Sequence, residues 1–258
     1  MNYNLFSSIK EVPFKKEEEV RQDIYNLWQE AFRDSDSYTD FYFDWKLKDN
    51  QVFLLYNGKE LAAMLHLNPY ELKVKSHNIA SNYIVGVATK KEERRKGHMR
   101  KLIEASLKEM YHKKMPFTYL MPAKESIYLP FDFRIVYEQE SWNDLLIKAS
   151  ERAKIEDKEK KSQRLRAAST RASSFKVLPL KDNDSKSLED LSNFTNKLLE
   201  QKEDVYVKRS PYYYKRLIQE TKSAKGEVLL CYFQEELIAY ASYMAEDKIY
   251  ITETITYT

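Results

Sequence analysis

The chain has 258 residues, 43% of them hydrophobic and 32% charged, which is enough apolar material for one large or two modest cores. Lysine and arginine number 43 against 40 acids, so a net charge of +3 is too small to imply nucleic-acid binding by the whole chain, and any basic partner site must be local. Four glycines cannot be spaced as a dinucleotide-binding GxGxxG or a Walker-type loop, and the lone Cys231 cannot form an internal disulfide.

In chain order, residues 1–20 (MNYNLFSSIKEVPFKKEEEV) hold no apolar core of a signal peptide, and no stretch approaches about 20 apolar residues, so a soluble cytoplasmic protein with no membrane partner is predicted. Residues 17–32 (EEEVRQDIYNLWQEAF) place acids in a first turn and apolar residues at Val20, Ile24, Leu27, Trp28 and Phe32, a helix with one buried face. The aromatic segment 38–48 reads as a second short helix. Asn57-Gly58, between apolar runs at 51–56 and 61–69, predicts a hairpin. Then come a strand at 81–89 (SNYIVGVAT), a helix at 97–114, a strand at 117–121, a short helix at 124–129 and a strand at 134–139. Together residues 1–148 read as one α/β domain.

Residues 149–172 change character, with alternating charge and few large apolar residues, and read as a charged linker or solvated helix. Beyond it the pattern predicts a strand at 175–180, a helix at 185–201, a helix at 211–221 capped by Ser210 with Pro211 at its first position, and strands at 227–233, 237–244 and 248–256. This repeats the opening order of the first domain, so residues 173–258 read as a second, incomplete domain of the same kind.

The helix at 97–114 is led by Arg94, Arg95 and Lys96, with Arg100 and Lys101 in its opening turns. Helix N-termini are already positive, and each misplaced cation costs about 0.3–1 kcal/mol. A bound anion removes the conflict, because free N–H groups and arginines together make an anion site. Gly97 lets a bulky phosphate approach the backbone without a Cβ in the way. The site lies at the carboxyl end of a strand, where open α/β sheets bind ligands.

The run Val87, Arg94, Arg95, Gly97, Arg100 resembles motif A of the GCN5-related N-acetyltransferases (GNAT), written Q/R-x-x-G-x-G/A, with Met99 standing where Gly or Ala is usual. The segments YIVGVAT, MRKLIEASLKEMY, PFTYLMPAKESIYLPFDFRIVYEQE and DVYVKRSPYYYKRLIQE look like the enhanced-intracellular-survival subfamily. That resemblance implies the GNAT fold, a mixed and mostly antiparallel sheet flanked by helices, followed by a second, partial GNAT-like domain. It implies acetyl-CoA as co-substrate, with Val87, Ala88 and Thr89 pairing with pantetheine and offering an oxyanion donor. Arg94, Arg95, Lys96, Gly97, His98, Met99 and Arg100 would surround the pyrophosphate, and Tyr128 would protonate the leaving thiolate. The subfamily also has a sterol-carrier-like region whose C-terminal carboxylate acts as base, and the sequence stops at Thr258 before any such region.

For the acceptor, Trp28, Phe32, Asp34, Asp36, Tyr42 and Phe43 form an aromatic and acidic group suited to an arriving amine. His66, His77, His98 and His112 stand singly without ligand spacing, so no metal is expected. The expected activity is acetyl transfer to a primary amine, such as an aminoglycoside, a polyamine or a lysine side chain. The alternative is a catalytically silent acyl-CoA-binding or assembly module. No nucleic-acid partner is expected, and a homo-oligomer is compatible with the sequence.

Overall fold

A computed structural model of the chain describes residues 3–137, 175–245 and 248–257. Its elements run β1 (Tyr3–Phe6), α1 (Glu17–Phe32), α2 (Asp36–Phe41) continued by a π-helical turn (Tyr42–Lys46), β2 (Gln51–Asn57), β3 (Glu60–Val74), β4 (His77–Thr89) and α3 (His98–His112). After 3-10 turns at Glu125–Ile127 and Leu129–Phe131 come β5 (Phe175–Pro179), α4 (Ser185–Lys202), β6 (Val205–Val207), α5 (Pro211–Ser223), β7 (Glu227–Phe233), β8 (Glu236–Ala245) and β9 (Ile249–Thr256). The charged segment 149–172 lies outside the described residues.

The first sheet is antiparallel in the order β1-β2-β3-β4. α1 occupies the predicted span, because Glu19 reaches back to the backbone N–H of Lys16 at 3.1 Å and its apolar stripe is continuous. Val20, Ile24, Leu27 and Trp28 pack with Leu54, Tyr56, Met64 and Ala88 of the sheet in one buried cluster. The β2–β3 turn has Gly58 at φ +60° in its first central position, which a glycine takes without strain.

β3 and β4 extend beyond their predicted limits, joined through Lys75 and Ser76. The sequence pattern breaks at Pro69, which lacks an N–H. In the fold Pro69 sits between the partners of β2, which end at Leu67, and those of β6, which start at Leu72. There β3 has a neighbour on one side only, and a proline is tolerated. β6 was not foreseen; its three residues pair antiparallel with residues 72–74.

Two predicted strands are corrected. The 117–121 strand reduces to one parallel bridge, Tyr119 to Tyr83, with Ile84 N–H donating to the Tyr119 carbonyl at 3.0 Å. Of 134–139, residues 134–137 form no strand and the rest lie outside the described residues; Val136 is 92% exposed and buries nothing that would hold it in a sheet. The predicted helix at 124–129 is two 3-10 turns, divided at Tyr128 just before Pro130.

The second sheet runs β5-β7-β8-β9. Contacts divide the described chain into two compact units: residues 1–121, 179–230 and 239–258, and residues 122–178 with 231–238. In the first, Ser37 Oγ donates to the Ser223 carbonyl at 2.8 Å and Lys208 pairs with Glu71 at 2.9 Å, so α5 and β6 belong to the body of the first sheet. In the second, Lys176 pairs with Glu235 and Phe175 packs on Phe233 with ring centroids 4.8 Å apart.

Candidate functional site

The site starts from a defect in β4. Met64 faces Ala88 while His66 faces Val85, so β4 carries one residue more than β3 between those pairs, a β-bulge. Gly86 stands in it at φ +61°. A Cβ there would lie 2.7 Å from Cζ3 of Trp28 and 3.1 Å from Cδ2 of His66, so only glycine fits. Past Ile84 the outer edge of β4 has no strand neighbour among the described residues, leaving main-chain groups of the bulge open for a ligand.

Beneath the bulge lies a closed polar network. His66 is wholly enclosed, and burial holds its imidazole at a pKa of about 3, so it is neutral. Tyr42 stacks on Trp28 with centroids 4.2 Å apart, and its hydroxyl donates to Asn68 Oδ1 at 3.2 Å and accepts from Asn50 Nδ2 at 2.9 Å. With that proton on Asn68, the Nδ1–H tautomer of His66 donates to the same hydroxyl across 3.2 Å, and Nε2 carries a buried lone pair without a partner.

The basic loop follows at once. Glu93 is its internal anchor: it accepts from Tyr3 OH at 2.8 Å, Lys96 Nζ at 2.9 Å, His98 Nε2 at 3.1 Å and Asn57 Nδ2 at 3.2 Å. The bond from Lys96, then those from Tyr3 and His98, hold its carboxyl at a pKa of about 2. Arg94 Nε donates to the Thr89 carbonyl at 3.2 Å. Arg95 adopts φ +62° and points an exposed guanidinium with no ion-pair partner among the described residues. Gly97, at φ +80°, is the N-cap of α3, and a Cβ there would meet nothing within 4 Å. The opening is therefore kept free by the fold. First-turn amides of α3 have no intrahelical acceptor, which suits the loop to a phosphate. The ring of His98 is buried against Tyr3, so this residue offers its backbone N–H rather than its imidazole. Met99 is half-buried beside it, and Arg100 is exposed, paired with Glu104 at 3.3 Å. The residues present fit a pyrophosphate.

Of the aromatic and acidic group, Trp28 donates to Asp34 Oδ2 at 2.9 Å, and Phe32, 40% exposed, packs on Trp28. Tyr42 joins them under the bulge. Asp36 opens α2, and Phe43 lies inside the core cluster. Tyr128 belongs to the other compact unit, half-buried between its two 3-10 turns with its ring edge-on to Phe133 at 5.8 Å. Sequence reasoning missed Gly86, His66 and Glu93. Only the first left a signal: a glycine inside the apolar strand SNYIVGVAT marks a bulge or a close approach. Among the described residues no group of His, Cys, Asp and Glu is placed to hold a metal ion, and no helix is long and apolar enough to cross a membrane.

Residues 14–136 match the acetyltransferase (GNAT) domain family, whose members use acetyl-CoA. No curated protein sequence matches the chain significantly. Among solved structures, a conserved protein of unknown function and probable N-acyltransferase from Enterococcus faecalis V583 superposes with a TM-score of 0.66 at 14% identity, covering 100% of this chain and 59% of that one. A GCN5-related N-acetyltransferase from Anabaena variabilis gives 0.61 at 14% identity, with the same coverage. Another from Kribbella flavida gives 0.54 at 11%, covering 100% of this chain and 58% of that one. At such identities the likeness is one of fold, and the chain spans about three-fifths of the length of these neighbours. The chain is thus a mixed α/β fold of antiparallel sheets flanked by helices, with residues 14–136 similar to the acetyltransferase (GNAT) domain family.

Proposed function

We propose that this chain is an acetyl-CoA-dependent N-acetyltransferase that moves an acetyl group to a primary amine by direct attack on the thioester. The observation that carries this is the continuity of the Gly86 bulge, the unpaired edge of β4 and the cationic, open N-terminus of α3. The bulge presents main-chain groups to a thioester, and the loop presents amides and arginines to a pyrophosphate one helix start away.

On this reading Val87, Ala88 and Thr89 pair with the pantetheine arm and supply an N–H to the carbonyl oxygen as it becomes an oxyanion. Arg94, Arg95, Lys96, Gly97, His98, Met99 and Arg100 hold the pyrophosphate. The amine nitrogen attacks the carbonyl carbon, the C–S bond breaks, the sulfur takes a proton from Tyr128, and the nitrogen gives one up to solvent. Trp28, Phe32, Asp34, Asp36, Tyr42 and Phe43 form the acceptor side, for an aminoglycoside, polyamine or lysine-type amine. The N-acetyltransferase names of the Anabaena and Kribbella neighbours support the reaction class.

The subfamily reading, tandem acetyltransferase-like domains of the enhanced-intracellular-survival type in a cytoplasmic protein, rests on element order. β5, α4, α5, β7, β8 and β9 repeat β1, α1, α2, β2, β3 and β4, and both sheets keep chain order. The domains are taken as 1–148 and 173–258, joined by 149–172. A thiol-release assay with acetyl-CoA and a panel of polyamines, aminoglycosides and lysine peptides tests the function. Amine-dependent thiol release is expected. Stabilisation by coenzyme A without release on any amine would replace transfer by binding alone.

A further inference from the structure

We propose that the cavity between the π-helical turn, β3 and α5 binds a small zwitterion, the ammonium and carboxylate of a free α-amino acid, at a place separate from acyl transfer. The cavity holds about 370 Å³, the size of a small-molecule pocket, and every residue lining it belongs to the first compact unit.

Its charges are arranged in two kinds. Arg216, only 6% exposed, donates through Nη1 to Asp49 Oδ2 at 3.1 Å and lies near the rings of Tyr70 and Tyr212, yet its buried Nε has no hydrogen-bond partner. A buried charged donor left unpaired is costly, and a ligand acceptor relieves it. Lys46 lies on the same wall, half-buried, with Nζ donating to Tyr70 OH at 3.1 Å and no carboxylate partner among the described residues. Opposite in sign, Glu220 sits one turn after Arg216 on α5, half-buried, and its carboxylate has no hydrogen bond or ion pair among the described residues. The other carboxylate of the lining, Glu253, is already committed to Arg209 and to Tyr240.

A lysine without a carboxylate partner, an unpaired buried N–H on the Asp49-bound Arg216, and one carboxylate without a partner select the ligand. A plain anion is repelled by Glu220, and a polyamine by Lys46 and Arg216. A zwitterion satisfies both, its carboxylate toward Lys46 and Nε of Arg216 and its ammonium toward Glu220, while Leu217 and Met244 offer apolar surface to a side chain. The pocket lies away from the bulge: Tyr70 faces Ser81, five residues before Gly86, which is about 16 Å along β4.

The test is calorimetric titration of the full chain with the standard amino acids one at a time, then with the amide and the deaminated acid of the best binder. One site per chain is expected, with both analogues at least about tenfold weaker. Glu220→Gln and Lys46→Met should each weaken amino-acid binding by a similar factor while acetyl-CoA affinity and Tm stay unchanged. No heat from any amino acid at millimolar concentration, an amide that binds as well as its acid, or competition by acetyl-CoA would overturn the proposal. The wild-type arms decide even if a variant folds poorly, and none of them depends on acetyl transfer.

Discussion

His66 refuses a proton that the unfolded chain accepts. Its pKa falls from 6.5 to about 3 by burial, so its contribution to stability is full above pH 6.5 and is lost as pH falls toward 3. Glu93 adds a second, more acidic window: its pKa is lowered from 4.5 to about 2, so the anchor of the basic loop is intact above pH 4.5 and released as pH falls toward 2. Melting curves between pH 7 and 4.5 should therefore show Tm falling in the wild type, and a shallower fall in His66→Gln. An identical slope in the two proteins would remove His66 from the account. Tyr128→Phe keeps the ring and removes the phenolic proton, so acetyl-CoA binding should persist while turnover drops by roughly 10²–10⁴. Equal turnover in a steady-state assay would take the general-acid role away from Tyr128. The basic loop was legible because its cations sit in sequence beside a helix start, where they make no local sense. Glu93 and His66 were not, since their partners Tyr3 and Tyr42 lie 90 and 24 residues away and only the folded sheet brings them together.

At the scale of elements, the bulge in β4 is held from one face by Trp28 of α1 and His66 of β3. Gly86→Ala puts a methyl group 2.7 Å from the Trp28 ring in a backbone conformation that alanine avoids, and should cost roughly 1–3 kcal/mol. Because the bulge is also the proposed oxyanion donor, acetyl transfer should fall more than the loss of folded protein explains. Calorimetry and activity on the same sample check this, and a variant with wild-type Tm and rate would contradict the packing. Helix α1 was read from the sequence to the residue because its apolar stripe and first-turn acids are both local. The strand at 117–121 was over-read, since its apolar pattern says nothing about whether a neighbour runs beside it. In the fold that segment meets β4 between Ser81 and Ile84, through Phe117, Thr118, Tyr119 and Met121, and past Ile84 that edge of β4 has no strand neighbour among the described residues.

On the scale of the whole molecule, the two sheets share an element order but differ at their glycines. Gly97 opens a helix with empty space over its Cα, while a Cβ on Gly226 would fall 1.8 Å from the Tyr243 carbonyl oxygen, so that position is closed by backbone and leads into a strand. The repeated order was legible because both halves alternate apolar runs and turns alike; β6 was not, because three residues carry too little pattern and are ordered by pairing with β3. The most direct measurement is calorimetric titration of acetyl-CoA into the full chain and into Arg95→Glu. One site per chain is expected, with affinity at least about tenfold lower in Arg95→Glu, where a like charge replaces the exposed guanidinium at the phosphate. Two sites per chain, or the same Kd in both proteins, would contradict the assignment of the loop.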